Sequence, residues 1–401
     1  MPLPWPRPDS AATTPTDRRE LARHLKAGAR SRLRTRKEKA MVRRARWAVV
    51  PVILALTVSA CSESDGGSST DAGEKPVIQQ YHCSPTLASN SSAIFLGPQL
   101  GLTDKFTINV TSVSGTGACV QALSTGQANV SSPAPAALAT PVSENGDIGV
   151  KYFYELARSD TFNIMVKPDS PIQGYEDLKG KRVGINGAGG VEQSFAIGAL
   201  KSVGLAASDV TFIAVGNGAA AAKALQEGKV DAMSQVDIRW GTFKAQGFEF
   251  RDLTASAPKS QTFGASYAAN TKWLESNKEL AVEFARMIAR ATIMTIVNPE
   301  AVIRKFYQVY PQFITPGLSI DKQIEADLPV LAARSAKYGF DLEKQTPDLG
   351  QFTAEQWAAV LEFNDLTVKD PTVMYTNDIA AAMGDIDVKK WVEYAKNYKD
   401  G

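Results

Sequence analysis

Four short loops carry side chains that could bind a small polar molecule. Each loop follows an apolar segment typical of a β-strand, and each is rich in hydroxyls, amides or glycine. The loops are HCSPT (82–86), SGTG (114–117), SSP (131–133) and NGAGG (186–190). In parallel α/β sheets, ligands sit at the carboxyl ends of strands, where loops lead into helix N-termini. We therefore expect these loops to border a ligand site, although Ser, Thr, Asn and Gly are also ordinary turn and cap residues. The candidate ligand-binding residues in them are His82, Ser84, Thr86, Ser114, Thr116, Ser131, Ser132, Asn186, Gly187, Gly189 and Gly190.

The glycine-rich loop does not match a nucleotide site. A dinucleotide fingerprint needs a third glycine or alanine where this chain has Glu192, and an acidic residue at the end of the next strand. That strand, VTFIAV, ends instead in Gly216 and Asn217. No Gly-Lys-Ser/Thr phosphate loop is present either. Capture of a small ligand or anion is the better interpretation, with Asn217 as a further candidate contact.

Catalysis has little support in the sequence. The chain has only two histidines, His24 and His82, which excludes a His-rich metal site. A Ser-His-Asp mechanism would have to use His82, but no G-x-S-x-G motif presents a serine. We expect His82 to form a hydrogen bond with ligand or backbone, and we expect a protein that is not an enzyme and has no metal and no cofactor.

The charge distribution argues against a nucleic-acid partner. Residues 1–46 hold 14 Lys and Arg against 4 Asp and Glu, which leaves 30 basic and 38 acidic side chains in the rest of the chain. A nucleic-acid-binding protein needs a basic face to displace counterions from phosphates. The body of this chain is acidic instead.

The sequence MVRRARWAVVPVILALTVSAC (41–61) predicts export. Its arginines form a positive n-region, the apolar segment after them is too short to span a membrane comfortably, and Val58 to Cys61 form a small-residue cleavage site. This site resembles the lipobox of bacterial lipoproteins, which implies that Cys61 carries lipid. An uncleaved membrane anchor is the alternative. Residues 1–40 would be an unusual preface to a signal peptide, so translation is expected to start at Met41, and the polar segment 61–75 is expected to be a flexible tether.

Export would leave Cys83 and Cys119 in an oxidising compartment. A disulfide between them is one possibility and two buried free thiols are the other, because the sequence does not show the distance between their Cα atoms.

From Lys75 onwards, strand and helix patterns alternate. KPVIQQYHC, FTINVTSV, ANVSSP and IGVKYFYELA read as strands, with helical patterns over SSAIFLGPQLGLTDK, CVQALSTG and PAALATPVSEN. A second series consists of KRVGI, a helix over 191–203, VTFIAV, a helix over 219–227 and VDAMSQ. Such alternation predicts βαβ units around parallel sheets. The order predicts an α/β protein of two lobes joined by two extended hinge strands, with a cleft that could close on a ligand.

The segment YEDLKGKRVGINGAGG, with the helix, the DVTFI strand and ALQEGKVDAMSQ that follow it, resembles bacterial ABC-transporter substrate-binding proteins. Within these it is similar to the nitrate/sulfonate/taurine class, which includes binders of thiamine-pyrimidine precursors, and PTVMYTNDIAAAM is similar to that class too. The resemblance runs from about Lys75 to the C-terminus. It implies a type-II periplasmic-binding-protein fold that takes a small ligand between its lobes and delivers it to a membrane permease. We expect lobe 1 to comprise residues 76–167 and 262–401, and lobe 2 residues 168–261.

The resemblance also nominates charged and aromatic residues near the cleft. Asp237 follows VDAMSQ, where that family often places a polar cleft residue, and a carboxylate there would disfavour a bare anion unless a cation such as Arg239 offset it. The two could equally be an exposed pair. Tyr267 and Trp240 could stack on a ring or be ordinary packing residues. Gln235, Asp237 and Tyr267 join the candidate contacts.

Our main hypothesis is a monomeric solute-binding protein, exported and anchored by lipid to the extracytoplasmic side of the cell membrane, which feeds an ABC importer. An exported subunit that reports its ligand to a membrane sensor is the alternative. An enzyme is a third possibility, because eukaryotic pyrimidine synthases of thiamine synthesis resemble this chain in topology. Those enzymes use a histidine and a cysteine-rich motif, and this chain has no cysteine cluster.

Overall fold

The computed structural model describes residues 74–253 and 262–399. The strands in these ranges are β1 (Val77–His82), β2 (Thr107–Ser112), β3 (Val130–Ser131), β4 (Val150–Tyr154), β5 (Phe162–Val166), β6 (Arg182–Ile185), β7 (Thr211–Ala214), β8 (Ala232–Val236), β9 (Arg251–Asp252) and β10 (Tyr267–Asn270). The α-helices are α1 (Ser92–Phe95), α2 (Thr116–Ser124), α3 (Pro135–Asn145), α4 (Val191–Lys201), α5 (Ala219–Gln226), α6 (Asp237–Ala245), α7 (Thr271–Ser276), α8 (Lys278–Val297), α9 (Pro299–Val309), α10 (Ile320–Ser335), α11 (Ala354–Phe363), α12 (Asp378–Ala381) and α13 (Val388–Asn397). Short 3₁₀ turns lie at Ser89–Ser91, Glu176–Leu178, Ala207–Asp209, Pro311–Phe313 and Pro371–Met374.

The strands form two five-stranded sheets with the same arrangement. The first has the order β2-β1-β3-β10-β4 and the second β7-β6-β8-β5-β9. In each sheet the first three strands are parallel, and the fourth pairs antiparallel with the third. The parallel strands are joined through helices, as the alternating sequence pattern predicts. The predicted α/β fold with two sheet-based lobes is confirmed.

The chain passes between the sheets twice. The first crossing, residues 155–161, leads from β4 to β5, and the second leads from β9 to β10. Because β5 pairs with β8 in the second sheet, the lobe boundary that we predicted after residue 167 lies too late. The extended pattern of FNIMV is the same in either sheet, and only the pairing partner decides which sheet it joins. The rest of the predicted division into lobes stays a prediction.

Hydrophobic residues cover both faces of each sheet. In β4 the neighbours Tyr152 and Phe153 belong to two different core clusters, and in β5 the same is true of Ile164 and Met165. Successive side chains of a strand point to opposite faces, so each strand contributes to two cores. Helix α8 runs through the larger cluster of the first lobe with most of its 20 residues buried.

The helix that we predicted over SSAIFLGPQLGLTDK is only four residues long. Beyond Phe95 the chain continues in turns, because Pro98 has no N–H to donate and Gly101 adopts a left-handed conformation with φ of 69°. The chain packs closely here, since a Cβ at Gly97 would overlap the Met287 side chain.

Residues 1–40, the predicted start at Met41, the predicted signal peptide 41–60 and Cys61 lie outside the described residues, as does nearly all of the predicted tether 61–75. Within the described ranges, no helix combines the length and the hydrophobicity of a membrane span.

Candidate functional site

A cavity of about 940 Å³ is lined by loops and helices of both sheets. The first lobe contributes the loop after β1, the start of α2 and the start of α3. The second contributes the start of α4 and one face of α6. The first crossing and helices α10 and α11 complete the lining. Its volume lies in the upper part of the range of about 300–1,000 Å³ that small-molecule sites occupy.

Seven of the predicted site residues line this cavity: His82, Ser84, Thr86, Thr116, Ser132, Gly189 and Tyr267. They come from strand-end loops of both lobes, except Tyr267, which lies in β10. Tyr267 is 4% exposed and its hydroxyl accepts a hydrogen bond from Gln80 Nε2 at 3.3 Å. That these residues contact a ligand stays a prediction.

His82 is held at the cavity by its neighbours. Its ring packs edge-on against Phe95 with ring centroids 6.2 Å apart. Burial lowers the pKa of His82, a backbone hydrogen bond with Thr86 raises it in part, and the charge of Arg334 lowers it further. The imidazole is therefore neutral at pH 7, with one nitrogen able to donate a hydrogen bond and the other able to accept one.

The other predicted residues are not in the cavity lining: Ser114, Ser131, Asn186, Gly187, Gly190, Asn217, Gln235 and Asp237. Ser131, Gln235 and Asp237 use their side chains in hydrogen bonds within the protein. Ser131 is fully buried and donates to the Tyr81 carbonyl at 2.7 Å, and Gln235 Nε2 donates to the Gly216 carbonyl at 3.0 Å. In the glycine-rich loop, Gly189 N donates to Gln193 Oε1 at 2.6 Å, which ties this part of the loop to the first turn of α4.

Asp237 binds a different arginine from the one that the sequence suggested. Both carboxylate oxygens accept hydrogen bonds from Arg334 at 2.8 Å, and the carboxylate is almost fully buried. The interpretations of Asp237 and Arg239 as an offsetting or exposed pair are therefore wrong. Arg334 follows Asp237 by 97 residues, so local sequence patterns could not reveal the pairing. The pair leaves Arg334 in the cavity lining with its charge balanced.

Trp240 is a core residue. It is 1% exposed, its indole N–H donates to the Gln235 carbonyl at 3.2 Å, and its ring packs edge-on against Phe250 at 4.9 Å. Stacking of Trp240 on a ligand ring, which the sequence left open, is not available in this arrangement.

Several lining residues were missed by the sequence analysis, among them Gln80, Asp160, Arg334 and Tyr338. Asp160 lies in the first crossing and accepts a hydrogen bond from Phe162 N at 2.8 Å. Burial raises the pKa of Asp160 to about 6, although hydrogen bonds from the backbone and the charge of Lys337 lower the pKa in part. Of these four residues, only Gln80 could have been recognised from the local sequence. It is a polar side chain within an apolar strand pattern, and such side chains are seldom buried without a structural or functional role.

Cys83 and Cys119 form a disulfide with their Cα atoms 5.7 Å apart. The bond ties the loop after β1 to α2, and Cys83 lies in the cavity lining. It therefore fixes the loop that carries His82, Ser84 and Thr86. No group of three or more His, Cys, Asp or Glu side chains suited to a metal occurs within residues 74–253 and 262–399.

Comparison with known proteins gives a family and a fold. Residues 89–302 match the family model described as "NMT1/THI5 like". A putative sulfonate ABC transporter, periplasmic sulfonate-binding protein from Methylobacillus flagellatus KT is a similar solved structure, with 11% identity, a TM-score of 0.53 and coverage of 77% of this chain and 94% of that one. The periplasmic aliphatic sulphonate binding protein from Escherichia coli has 20% identity and a TM-score of 0.52, with coverage of 77% and 97%. At these identities the neighbours show the periplasmic-binding-protein fold. No curated protein sequence matched the chain.

Proposed function

The chain belongs to the NMT1/THI5-like family, and on that premise we propose that it is an extracytoplasmic solute-binding protein that delivers a small molecule to an ABC importer. The family match confirms the class that the segment from Tyr175 onwards resembles. The names of the two sulfonate-binding neighbours support a role in solute uptake.

The observation that carries this proposal is the cavity between loops of two sheets that are linked by two crossings. A ligand in it contacts both lobes, so ligand binding favours whichever relative position of the lobes brings most of these contacts together. A membrane permease can then distinguish the ligand-bound arrangement of the lobes from the ligand-free one. The strand-end loops of both lobes supply hydroxyls and backbone groups that suit a small polar solute.

The anchor is part of the proposal. The signal sequence, lipobox and polar tether at residues 41–75 support attachment of Cys61 to lipid on the extracytoplasmic side of the membrane. Mass spectrometry of the native N-terminus tests this point. An acylated Cys61 is expected, and a protein that retains residues 41–60 would contradict it.

Uptake by whole cells tests the function. We expect that cells lacking the gene for this protein, or the gene for its permease, lose uptake of the same solute to the same extent. The purified full-length chain should bind that solute and become more compact in X-ray scattering. Normal uptake in both deletion strains would contradict delivery to an importer.

Binding without turnover separates this function from an enzyme. His82 is the histidine in the cavity lining, and it is the only candidate general base that the sequence offered. A binding protein returns its solute chemically unchanged, whereas an enzyme of this fold would convert it and lose turnover in His82→Ala. Mass spectrometry of the solute after long incubation with wild-type protein and with His82→Ala makes the distinction.

A further inference from the structure

One wall of the cavity is a loop with little regular structure of its own. We call residues 83–91 the cavity loop. It runs from the end of β1 to the start of α1, and its regular structure is limited to the 3₁₀ turn Ser89–Ser91. Most of its residues line the cavity: Cys83, Ser84, Thr86, Ala88, Asn90 and Ser91. Because a segment without a helix or strand opens easily by itself, the position of this loop depends on its contacts with other elements.

Two side-chain contacts hold the cavity loop near its ends. Cys83 is bonded to Cys119 in α2, which belongs to the same lobe. Ser89 is 5% exposed, and its Oγ donates to Asp327 Oδ2 in α10 at 2.5 Å. The first contact is covalent, whereas the second is a hydrogen bond to a helix that lies 238 residues further along the chain. The second end of the loop is therefore placed by α10.

The carboxylate of Asp327 accepts hydrogen bonds from three elements. Besides Ser89, its Oδ2 accepts from the Tyr307 hydroxyl of α9 at 2.6 Å, and its Oδ1 accepts from Gln323 Nε2 at 3.0 Å. Among residues 74–253 and 262–399, Asp327 forms no ion pair, so no cation competes with these donors. Hydrogen bonds to a carboxylate are shorter and stronger than those between neutral groups. Asp327 is thus well suited to hold the Ser89 hydroxyl in one place.

The same helix is bound to the second lobe two turns further on. Arg334 follows Asp327 by seven residues, so the two lie on one side of α10, about 10.5 Å apart along its axis. Arg334 donates two hydrogen bonds of 2.8 Å to Asp237 at the start of α6. The helices also approach closely at Gly241, where an added Cβ would lie 3.2 Å from the Ala333 Cβ. α10 therefore binds the cavity loop at one point and the second lobe at another.

The packing of α10 lets it pass a movement from one lobe to the other. Its Ile324 and Leu331 belong to the larger core cluster of the first lobe, and its Val330 and Arg334 line the cavity. Packed helices slide past each other by small amounts when lobes move, and a helix transmits such a shift along its length. A displacement of α6 therefore reaches Asp327, and with it the cavity loop.

We propose that Asp327 is a positioning residue of the solute site: it holds the cavity loop in place through Ser89, and Arg334 makes this hold depend on the position of the second lobe. The proposal rests on the proposed function, in that it takes this cavity as the solute site. While α6 stays against α10, the loop is ordered before a ligand arrives, so binding costs less conformational entropy. When α6 moves away, the hydrogen bond from Ser89 to Asp327 weakens and the loop is released.

Hydrogen exchange of the full-length chain tests the hold of Asp327 on the loop. Mass spectrometry of the protein with its disulfide intact and no added ligand measures amide exchange in residues 83–91. Ser89→Ala removes the link, so exchange there should become at least tenfold faster. Tyr307→Phe removes a donor from the same carboxylate oxygen but leaves the link to the loop, so exchange should change less than threefold. Unchanged exchange in Ser89→Ala, or equal acceleration in both variants, would overturn the role of Asp327.

Variants in the second lobe test the dependence on Arg334. Asp237→Asn weakens the contact between α6 and α10 and should speed exchange in residues 83–91 at least fivefold, although position 237 lies in the other lobe. Ile185→Ala is the control: Ile185 is 1% exposed and lies in β6 between β7 and β8, so its loss destabilises the second lobe without removing a contact of Arg334. It should change exchange in the loop less than twofold. Equal acceleration by both variants would show that general destabilisation, and not α10, releases the loop.

The double variant Ser89→Ala, Asp237→Asn shows whether the two changes act on one link. If they do, exchange in residues 83–91 should be within twofold of that in Ser89→Ala alone, because the link is already lost. Multiplied effects would mean that α10 does not connect the two sites.

The outcomes separate this proposal from the proposed function, because the exchange measurements include neither solute nor permease. Unchanged exchange in Ser89→Ala, together with lost uptake in both deletion strains, would reject the role of Asp327 and uphold delivery to an importer. Faster exchange in Ser89→Ala and Asp237→Asn, together with normal uptake in both deletion strains, would reject delivery and uphold the link between Asp327 and the cavity loop.

Discussion

The first crossing carries a buried carboxyl group with an altered pKa. Glu155 is 3% exposed, and its carboxylate accepts a hydrogen bond from Gln356 at 2.5 Å and lies 3.4 Å from Arg158. Burial raises the pKa of Glu155 to about 7, although Arg158 and Gln356 lower it in part. Glu155 lies at the start of the first crossing between the two sheets, so its ionisation changes the stability of the segment that joins them.

This pKa predicts how stability depends on pH. Because the folded-state pKa of Glu155 lies above its value of 4.5 in an unfolded chain, the folded protein holds the proton more tightly. Its contribution to the free energy of unfolding is complete below pH 4.5 and is lost as the pH rises through 7, with a loss on the order of 3 kcal/mol. Denaturant titrations from pH 5 to pH 8 should show stability falling. Asp160 adds to this fall with the same sign, because its pKa is also raised.

Glu155→Gln should flatten this pH dependence, and Glu275→Gln, a change at an exposed position, should leave it as in the wild type. An equal slope in the wild type and in Glu155→Gln would show that Glu155 does not control it.

The disulfide is a second feature at the residue scale. Cys83 and Cys119 are 36 residues apart in sequence, so the bond restricts the unfolded chain. A loop of this length predicts a contribution of about 3–4 kcal/mol to the free energy of unfolding. Reducing agent should therefore lower the stability of the wild-type protein. The double variant Cys83→Ala, Cys119→Ala should start from the lower value and should not respond to reduction. A response of the double variant would mean that reduction acts elsewhere.

At the scale of elements, α6 and α10 form one packed unit that supports the cavity. The helices approach closely at Gly241, where a Cβ would lie 2.8 Å from the Pro329 carbonyl oxygen. The Asp237–Arg334 pair lies one turn away and is shielded from water, with side-chain exposures of 2% and 16%. The backbone N–H of Asp237 also donates to the Thr161 carbonyl at 2.7 Å. The pair thus connects α6, α10 and the first crossing.

Removing one member of this pair should cost more than removing both. Asp237→Asn or Arg334→Met leaves a buried charge without its partner, and each should lower the free energy of unfolding by about 3–5 kcal/mol. In the double variant both charges are absent, so we expect a loss well below the sum of the two single losses. Denaturant titrations of the four proteins in this double-mutant cycle measure the coupling. Additive losses would show that the two side chains do not interact.

At the scale of the whole molecule, the two lobes touch on a second flank, where α4 meets α11. Phe363 packs against Phe195 with ring centroids 5.5 Å apart, and a Cβ at Gly198 would overlap the Phe363 ring. Phe363 and Phe195 also line the cavity. The contact is apolar and sits at the edge of the site, so it adds to the interactions that hold the lobes together around a ligand.

Phe363→Ala should loosen this flank. Without ligand, the variant should have a larger radius of gyration than the wild type in X-ray scattering, because the aromatic packing of this contact is lost. A bound solute should restore the wild-type value by linking the lobes. Phe313→Ala removes a similarly half-buried ring that stacks on Phe306 within the first lobe, and it should leave the radius of gyration unchanged. Equal values for Phe363→Ala and the wild type without ligand would show that the contact does not hold the lobes.

The sequence by itself determined the alternation of strands and helices, the two sheets and the loops that end beside the cavity. These features depend on local periodicity and on turn residues, which can be recognised in the sequence without knowing which distant segments pack together. His82 is the last residue of β1, and Ser84 and Thr86 follow it, so their position at the carboxyl end of the strand results from the local pattern alone. The resemblance of the segment from Tyr175 to Gln235 determined the family.

The tertiary structure decided which residues complete the site. β5 joins the second sheet because β8 lies beside it, and Asp237 pairs with Arg334 because α10 packs against α6. As a result, Asp237 is not available to Arg239, which has no hydrogen-bond or ion-pair partner among residues 74–253 and 262–399. Each of these facts depends on residues that are far apart in the chain, and local periodicity does not specify which distant segments meet. Burial then sets the pKa of Glu155 and of Asp160, because desolvation is a property of the folded environment and not of the sequence around the group.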